Sequence, residues 1–315
     1  MAKKPQVMNQ VGGPMGIVGG WVSRWRQTRQ ARGVESTGVR RRWHQLANPF
    51  RRLVASAATR RVALIDEAPS PQHALDLFRG EWAGALPAPY ERYEAGRLPL
   101  FADEGLEWAL RELGGVEDRT VLECGPLEGS HTWLLEQRGA RAITAIEAHP
   151  RAYLRALVAK EVLGLIRARF LLGDFVKYLQ TTEHRYDVGI ASGVLYHMSE
   201  PVEVLGLLAR ACDSLYLWTH YYDSGPLTRR PNLDARFKPP QRRTVRGFTH
   251  DVHPYVYQTE RYQASFCGGM GPASAWLDRE TLLRCLHFLG FATVTVALEA
   301  PDHIHGPALA LVATR

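Results

Sequence analysis

VLECGPLEGSHTWLLE, residues 121–136, decides the fold. Val121 and Leu122 end an apolar run, Glu123 follows, Gly125 and Gly129 bracket a turn, and helix-forming residues begin at once. A strand that breaks over glycines into a helix is the βα turn of a parallel sheet, a place where ligands bind. The spelling departs from the dinucleotide fingerprint G-x-G-x-x-G. Pro126, Leu127 and Glu128 stand between the glycines, and an acid precedes the first. A carboxylate so near the turn repels a pyrophosphate and suits a ligand with an amino group and a positive centre.

Outward from this stretch, strands and helices alternate. RTVLEC, ARAITAIE, RARFLLGD, YDVGIASG and CDSLYLWTH read as strands. EGSHTWLLEQRG, HPRAYLRALVAKEVLG, FVKYLQ and EPVEVLGLLARA read as the helices between them. The strands are near-continuous apolar runs, as in a sheet covered on both faces. AWLDRETLLRCLHFLG predicts a further helix, and GFATVTVALEA and GPALALVAT a closing antiparallel hairpin. The fold class is α/β: a Rossmann-like, doubly wound, mostly parallel sheet with a C-terminal antiparallel strand, plus a basic N-terminal extension. Upstream, HALDLFRGEWAGAL and DEGLEWALRELGG read as two helices covering one edge.

The basic character belongs to one end. Residues 1–61 hold thirteen lysines and arginines against Glu35 alone, while the remainder holds 26 basic and 31 acidic side chains. Residues 1–69 are therefore read as a basic, irregular arm, and 70–315 as one domain. Interleaved Trp and Phe leave the arm open as a solvated tail, an amphipathic surface helix or an organelle transit peptide. An anionic partner, RNA or a membrane surface, fits its charge. Residues 221–276 have no clear period and are dense in Tyr, Arg, His, Pro and Gly. So long an interruption points to a substrate-side insertion. Its Arg229, Arg230, Arg242, Arg243 and Arg246 suit either an acidic acceptor or simple solubility. Cys124, Cys212, Cys267 and Cys285 form no CxxC pair, and no secretory h-region is evident. Both fit a reducing, cytoplasmic setting, with peripheral membrane contact left open.

In a doubly wound sheet, ligands bind beyond the carboxyl ends of the strands. The first strand ends in Glu123 and the Gly125–Pro126–Gly129 turn, the second in Glu147, the third in Asp174 and Phe175, the fourth in Ser192 and Gly193. An acid at the second position can accept hydrogen bonds from both ribose hydroxyls. Asp174 can accept from an exocyclic amine, with Phe175 packed on a purine. Ribose, adenine and an ammonium describe S-adenosyl-L-methionine.

This set resembles the class I S-adenosylmethionine-dependent methyltransferases over roughly residues 100–220 and 275–315. VLECGPLEG is similar to their first motif, with Leu127 in place of the middle glycine. Glu147 matches the family's ribose acid, and LLGDF places Asp174 at its adenine position. VLYHMSEP is also similar to the branch that modifies the tRNA wobble uridine with a carboxymethyl donor. There the residue matching Tyr196 helps to hold the extra carboxylate, but that branch's lysine-bearing stretch has no counterpart in LPLFADEGLEW.

The resemblance implies methyl transfer to an oxygen or nitrogen of a small-molecule acceptor. The alternatives are an RNA-modifying methyl- or carboxymethyltransferase and a non-catalytic methyltransferase-like scaffold. His197, His220 and Tyr196 are the candidate catalytic groups, the histidines as bases for the acceptor's proton. His250–Asp251–His253 and Asp302–His303–His305 lack strong ligand spacing, and no metal is expected.

Overall fold

The computed structural model describes residues 64–257, 269 and 271–315. The basic arm through residue 63 and Cys267 lie outside them. Residues Glu67–Arg315 form one compact unit.

Its centre is a seven-stranded sheet. Strands β1 (Thr120–Cys124), β2 (Ala142–Glu147), β3 (Ala168–Leu172), β4 (Tyr186–Ser192) and β5 (Cys212–His220) are all parallel. After the insertion come two more strands of this sheet, Thr293–Ala300 and Ala308–Thr314. The last strand pairs antiparallel with β5 on one side and with Thr293–Ala300 on the other. Strand order runs β3-β2-β1-β4-β5, then 308–314, then 293–300 at the edge. The order reverses between β1 and β4, so their carboxyl ends diverge and leave a crevice.

Helices α1 (Pro71–Asp76), α2 (Glu104–Glu112), α3 (Ser130–Gln137) and α4 (Pro150–Leu163) share one core layer with Val121, Ile143 and Val188. Helices α5 (Phe175–Thr181) and α6 (Pro201–Ala211), with helix 279–288, share the other with Leu122, Leu215 and Leu311. Alternate residues of each strand thus feed opposite layers, the physical content of "doubly wound". Local signals set the helix ends. Asp103 caps α2 by accepting from Leu106 N at 2.9 Å. Pro150 opens α4, and Gly164, at φ 69°, ends it in the left-handed conformation.

Two expectations need correcting. HALDLFRGEWAGAL is not one helix: α1 stops at Asp76, Gly80 turns the chain at φ 82°, and Trp82 Nε1 donates to Leu75 O. Residues 221–276 are not without secondary structure. They carry α7 (Ser224–Thr228), α8 (Pro231–Asp234) and an antiparallel sheet of β6 (Gln241–Val245), β7 (Phe248–Val256) and β8 (Ala273–Trp276). Helix α9 (Arg279–Phe288) and strands β9 (Thr293–Ala300) and β10 (Ala308–Thr314) follow. QRRTV of β6 is polar and largely exposed, so it shows no apolar alternation. The hairpin turns on Arg246 and Gly247, both at positive φ, as a two-residue turn requires.

The insertion is bolted to the domain. Arg246 grips Glu203 at 2.7 and 2.8 Å, Arg243 reaches Glu200 and Ser199 O at 2.8 Å, and Val252 is buried in the core. Arg229 pairs with Asp302 and Arg242 with Asp251, while Arg230 donates to the carbonyls of Asp302 and His303. Arg229, Arg230, Arg242, Arg243 and Arg246 thus all meet protein groups. No helix among the described residues is long and apolar enough to cross a membrane.

Candidate functional site

A cavity of about 430 Å³ opens at the carboxyl edge of β1 to β4. Gly125 and Leu127 line it from the turn after β1, Glu147 from the end of β2, Asp174 and Phe175 after β3, and Ser192 and Gly193 at the end of β4. Tyr196 and His197, in the short 3-10 turn Leu195–His197, also line it, as do Gly269, Gly271 and Ala273 from the insertion. His149, Lys177, Val194 and Met198, not among the expected site residues, also line the wall. Each lies within two residues of an expected position, and that proximity is the signal the sequence carries for them.

The turn explains its own spelling. Gly125 sits at φ 70°, and a Cβ there would meet Val194 Cγ1 at 2.7 Å. Gly129 sits at φ 81°, with Phe170 3.1 Å from where its Cβ would be. Leu127, where a glycine is expected, nonetheless adopts φ 54°. Left-handed backbone costs a non-glycine residue about 1 kcal/mol or more. Its amide is held there by donating to Glu147 Oε2 at 3.1 Å. The turn keeps its shape, and the leucine side chain becomes cavity wall.

Glu147 is 8% exposed, and it also accepts from His149 N at 2.8 Å. Burial raises its pKa, opposed by the amides of His149, Leu127 and Ala148. Asp174 caps α5 by accepting from Val176 N at 2.8 Å while it lines the cavity.

The remaining predicted residues lie elsewhere. Glu123 is buried behind the turn and does not line the cavity; it accepts from Thr132 Oγ1 at 2.5 Å. Burial raises its pKa, against the attraction of His131. Pro126 and Gly129 shape the turn without reaching the wall. His220 is also off the cavity, buried at the end of β5. Its Nδ1 lies 2.9 Å from Gly306 O and 3.2 Å from Pro307 O, so that nitrogen carries the proton. Its ring stacks on Trp276 at 5.2 Å and meets Tyr196 edge-on at 4.6 Å. This is the environment of a packing residue that supports Tyr196.

Of the two candidate bases, His197 is the one on the wall. Its Nδ1 lies 2.7 Å from Tyr257 Oη, and burial lowers its pKa to about 4, with His220 adding repulsion. It is neutral at pH 7 and able to accept a proton. Among the described residues no group of three potential ligands can hold a metal ion.

Sheet order, the antiparallel penultimate strand and the crevice at the β1–β4 reversal define the class I S-adenosylmethionine-dependent methyltransferase fold. The N-terminal domain of EvdMO1, solved with SAH and D-fucose, matches with TM-score 0.58 and 24% identity over 78% of this chain and 94% of that one. A further structure of EvdMO1 matches at TM-score 0.51 and 21% identity, over 77% of this chain and 46% of that one. In sequence, the chain is similar to the tRNA U34 carboxymethyltransferase of Cellvibrio japonicus, 28% identical over 96 residues, 30% of each chain. That of Saccharophagus degradans is 23% identical over 148 residues, 46% of each chain. The chain thus spans less than half the length of these curated relatives. No protein-family model matches it.

Proposed function

We propose that the protein is an enzyme, an S-adenosylmethionine-dependent methyltransferase that methylates an oxygen or nitrogen of a small-molecule acceptor. The observation that carries this reading is the convergence of four consecutive strand ends on one cavity. An amide-anchored carboxylate, Glu147, faces it for ribose, and Asp174 with Phe175 for adenine. The glycine turn fits such a donor, because a Cβ at Gly125 would have no room.

When bound, S-adenosylmethionine supplies an electrophilic methyl on a sulfonium. The sulfur–methyl bond breaks as the acceptor–methyl bond forms, and the acceptor's proton must leave. His197, neutral and on the wall, is placed to take that proton; Tyr196 beside it, rings 4.1 Å apart, orients the acceptor. The chain's main contribution is to hold both partners in line and exclude water.

A small acceptor is favoured over a polyanion because Arg229, Arg230, Arg242, Arg243 and Arg246 of the insertion are each engaged within the protein. Carboxymethyl or methyl transfer to RNA is the second reading, supported by the curated matches and by Tyr196 on the cavity wall. The basic arm would then carry RNA. An anionic membrane surface is its other partner class, in a cytoplasmic protein.

Calorimetric titration tests the donor. SAH is expected to bind wild type, and Glu147→Ala to weaken it by roughly 2 kcal/mol, about thirtyfold, through lost ribose hydrogen bonds. Unchanged affinity in Glu147→Ala would refute the ribose assignment, and NAD(H) binding without SAH would refute the class. SAH binding without turnover on any acceptor would favour a scaffold. A second experiment removes residues 1–61. Cofactor affinity should persist while binding to RNA or anionic vesicles falls with the thirteen lost cations. Unaltered binding to both would deny the arm that role.

A further inference from the structure

Glu128, between the two glycines of the turn, does not face the cavity. Its side chain points the other way and is 1% exposed. Oε1 accepts from Ala83 N at 2.8 Å and Oε2 from Gly84 N at 3.0 Å. Arg155 of α4 brings its Nε within 3.2 Å of Oε1, close enough for charge attraction but out of line for a hydrogen bond. One buried carboxylate therefore joins the turn to a segment 44 residues upstream and to the helix after β2.

That upstream segment is itself rigidly closed. Residues 83–98 form a loop whose ends pair: Ala85 N donates to Leu98 O and Leu98 N to Ala83 O, both at 2.9 Å. Gly96 is pressed so hard on the base of the loop that a Cβ there would lie 2.2 Å from the Ala83 carbonyl. Trp82, Leu86 and Phe101 bury the flanks. On the other side, Leu127 holds its left-handed backbone with one amide bond to Glu147, and Gly129 N donates to Pro126 O at 2.8 Å. Nothing in a five-residue turn compels Leu127 into that conformation; a fixed neighbour on each side does.

We propose that Glu128 is a positioning residue for the donor turn, and that the 83–98 loop controls donor affinity through it. The proposal rests on reading the cavity as a donor site. Loop, carboxylate, turn and ribose acid form one hydrogen-bonded chain. Its first link is Ala83 and Gly84 on Glu128; its last is Leu127 on Glu147. Shifting the loop base tilts the turn and misplaces Glu147, a distance effect of the sort that costs binding sites dearly.

The test uses the full chain and three variants. Glu128→Gln keeps the shape but presents an amide where one amide donor now bonds. Glu128→Ala removes the strut. Gly96→Ala leaves the strut intact and displaces its anchor. Leu286→Ala in α9, a core residue of the opposite layer, serves as the control that lowers stability alone. SAH affinity is measured by calorimetry well below each melting temperature, and exchange of the Leu127 and Gly129 amides by hydrogen–deuterium methods. The three variants should weaken SAH by about tenfold or more and speed both amides comparably, Glu128→Gln least, while the control stays within about twofold. Turn amides and SAH affinity unchanged in the folded Glu128→Gln and Gly96→Ala variants would overturn the proposal. If wild type fails to bind SAH, the donor reading falls; amide exchange then still decides whether Glu128 and the loop hold the turn.

Discussion

Acidifying the protein from pH 7 to pH 4 is expected to cost about 3 kcal/mol of stability through each of two buried imidazoles, His197 and His220. Both have pKa values lowered from 6.5 to about 4, burial being the first cause. The folded state therefore resists protonation that the unfolded chain accepts from about pH 6.5 downward. Stability conferred by the neutral rings is complete above that pH and falls as pH drops towards 4. Repulsion from His303 and His305 adds to the shift at His220, while its bonds to Gly306 and Pro307 carbonyls oppose it.

Other groups move the other way. His131, raised by Asp103 and Glu123 against its burial, and Glu123 and Glu147, raised by burial, each bind protons more readily when folded. Their stabilisation grows on acidification. The pair is isolated by difference: urea midpoints at pH 7, 6, 5 and 4.5 for wild type and for His197→Gln/His220→Gln. The gap between the two profiles should shrink from neutral pH to pH 4.5. Parallel profiles would mean that neither imidazole is desolvated as the fold implies. The same argument sets the acid limb of methyl transfer, if His197 takes the proton, well below the ordinary histidine range.

Gly125→Ala should cost about 3 kcal/mol and abolish measurable SAH binding. Two penalties combine: a left-handed φ of 70° for a residue with a Cβ, and that Cβ's 2.7 Å approach to Val194 Cγ1. The first is worth about 1–2 kcal/mol and the second about 1–3. Val194→Ala removes only the second. The double variant Gly125→Ala/Val194→Ala should therefore regain the steric share and retain the conformational one. A Gly125→Ala protein as stable as wild type would show that the turn is looser than its geometry states.

How the two sources of information divide is clearest residue by residue. Glu147, Asp174, Phe175, Ser192 and Gly193 were legible as wall residues, because a two-faced sheet writes its strands as apolar runs. The first polar residue past each run then marks the carboxyl edge. Glu123 obeyed the same rule and misled: it stands one residue before the strand ends, so the pleat turns its side chain under the turn, to Thr132 and His131. His220 and His197 look alike in sequence, each a histidine after a strand. Only the 301–307 loop, by offering His220 two carbonyls, and Tyr257, by reaching His197, separate them.

The chain's periodicity by itself determined the α/β class, the parallel direction of the first five strands and the antiparallel hairpin at the end, since burial on both faces is a local, repeating requirement. Tertiary structure alone decided the rest. The insertion became a sheet because its hairpin found Glu203, Glu200 and the core face of α6 and α9, contacts more than 40 residues away for the glutamates. Leu127 tolerates a glycine's conformation because Glu147 takes its amide and Glu128, beside it, is anchored 44 residues upstream. Local sequence sets what a segment buries; which distant groups complete it depends on the closed fold.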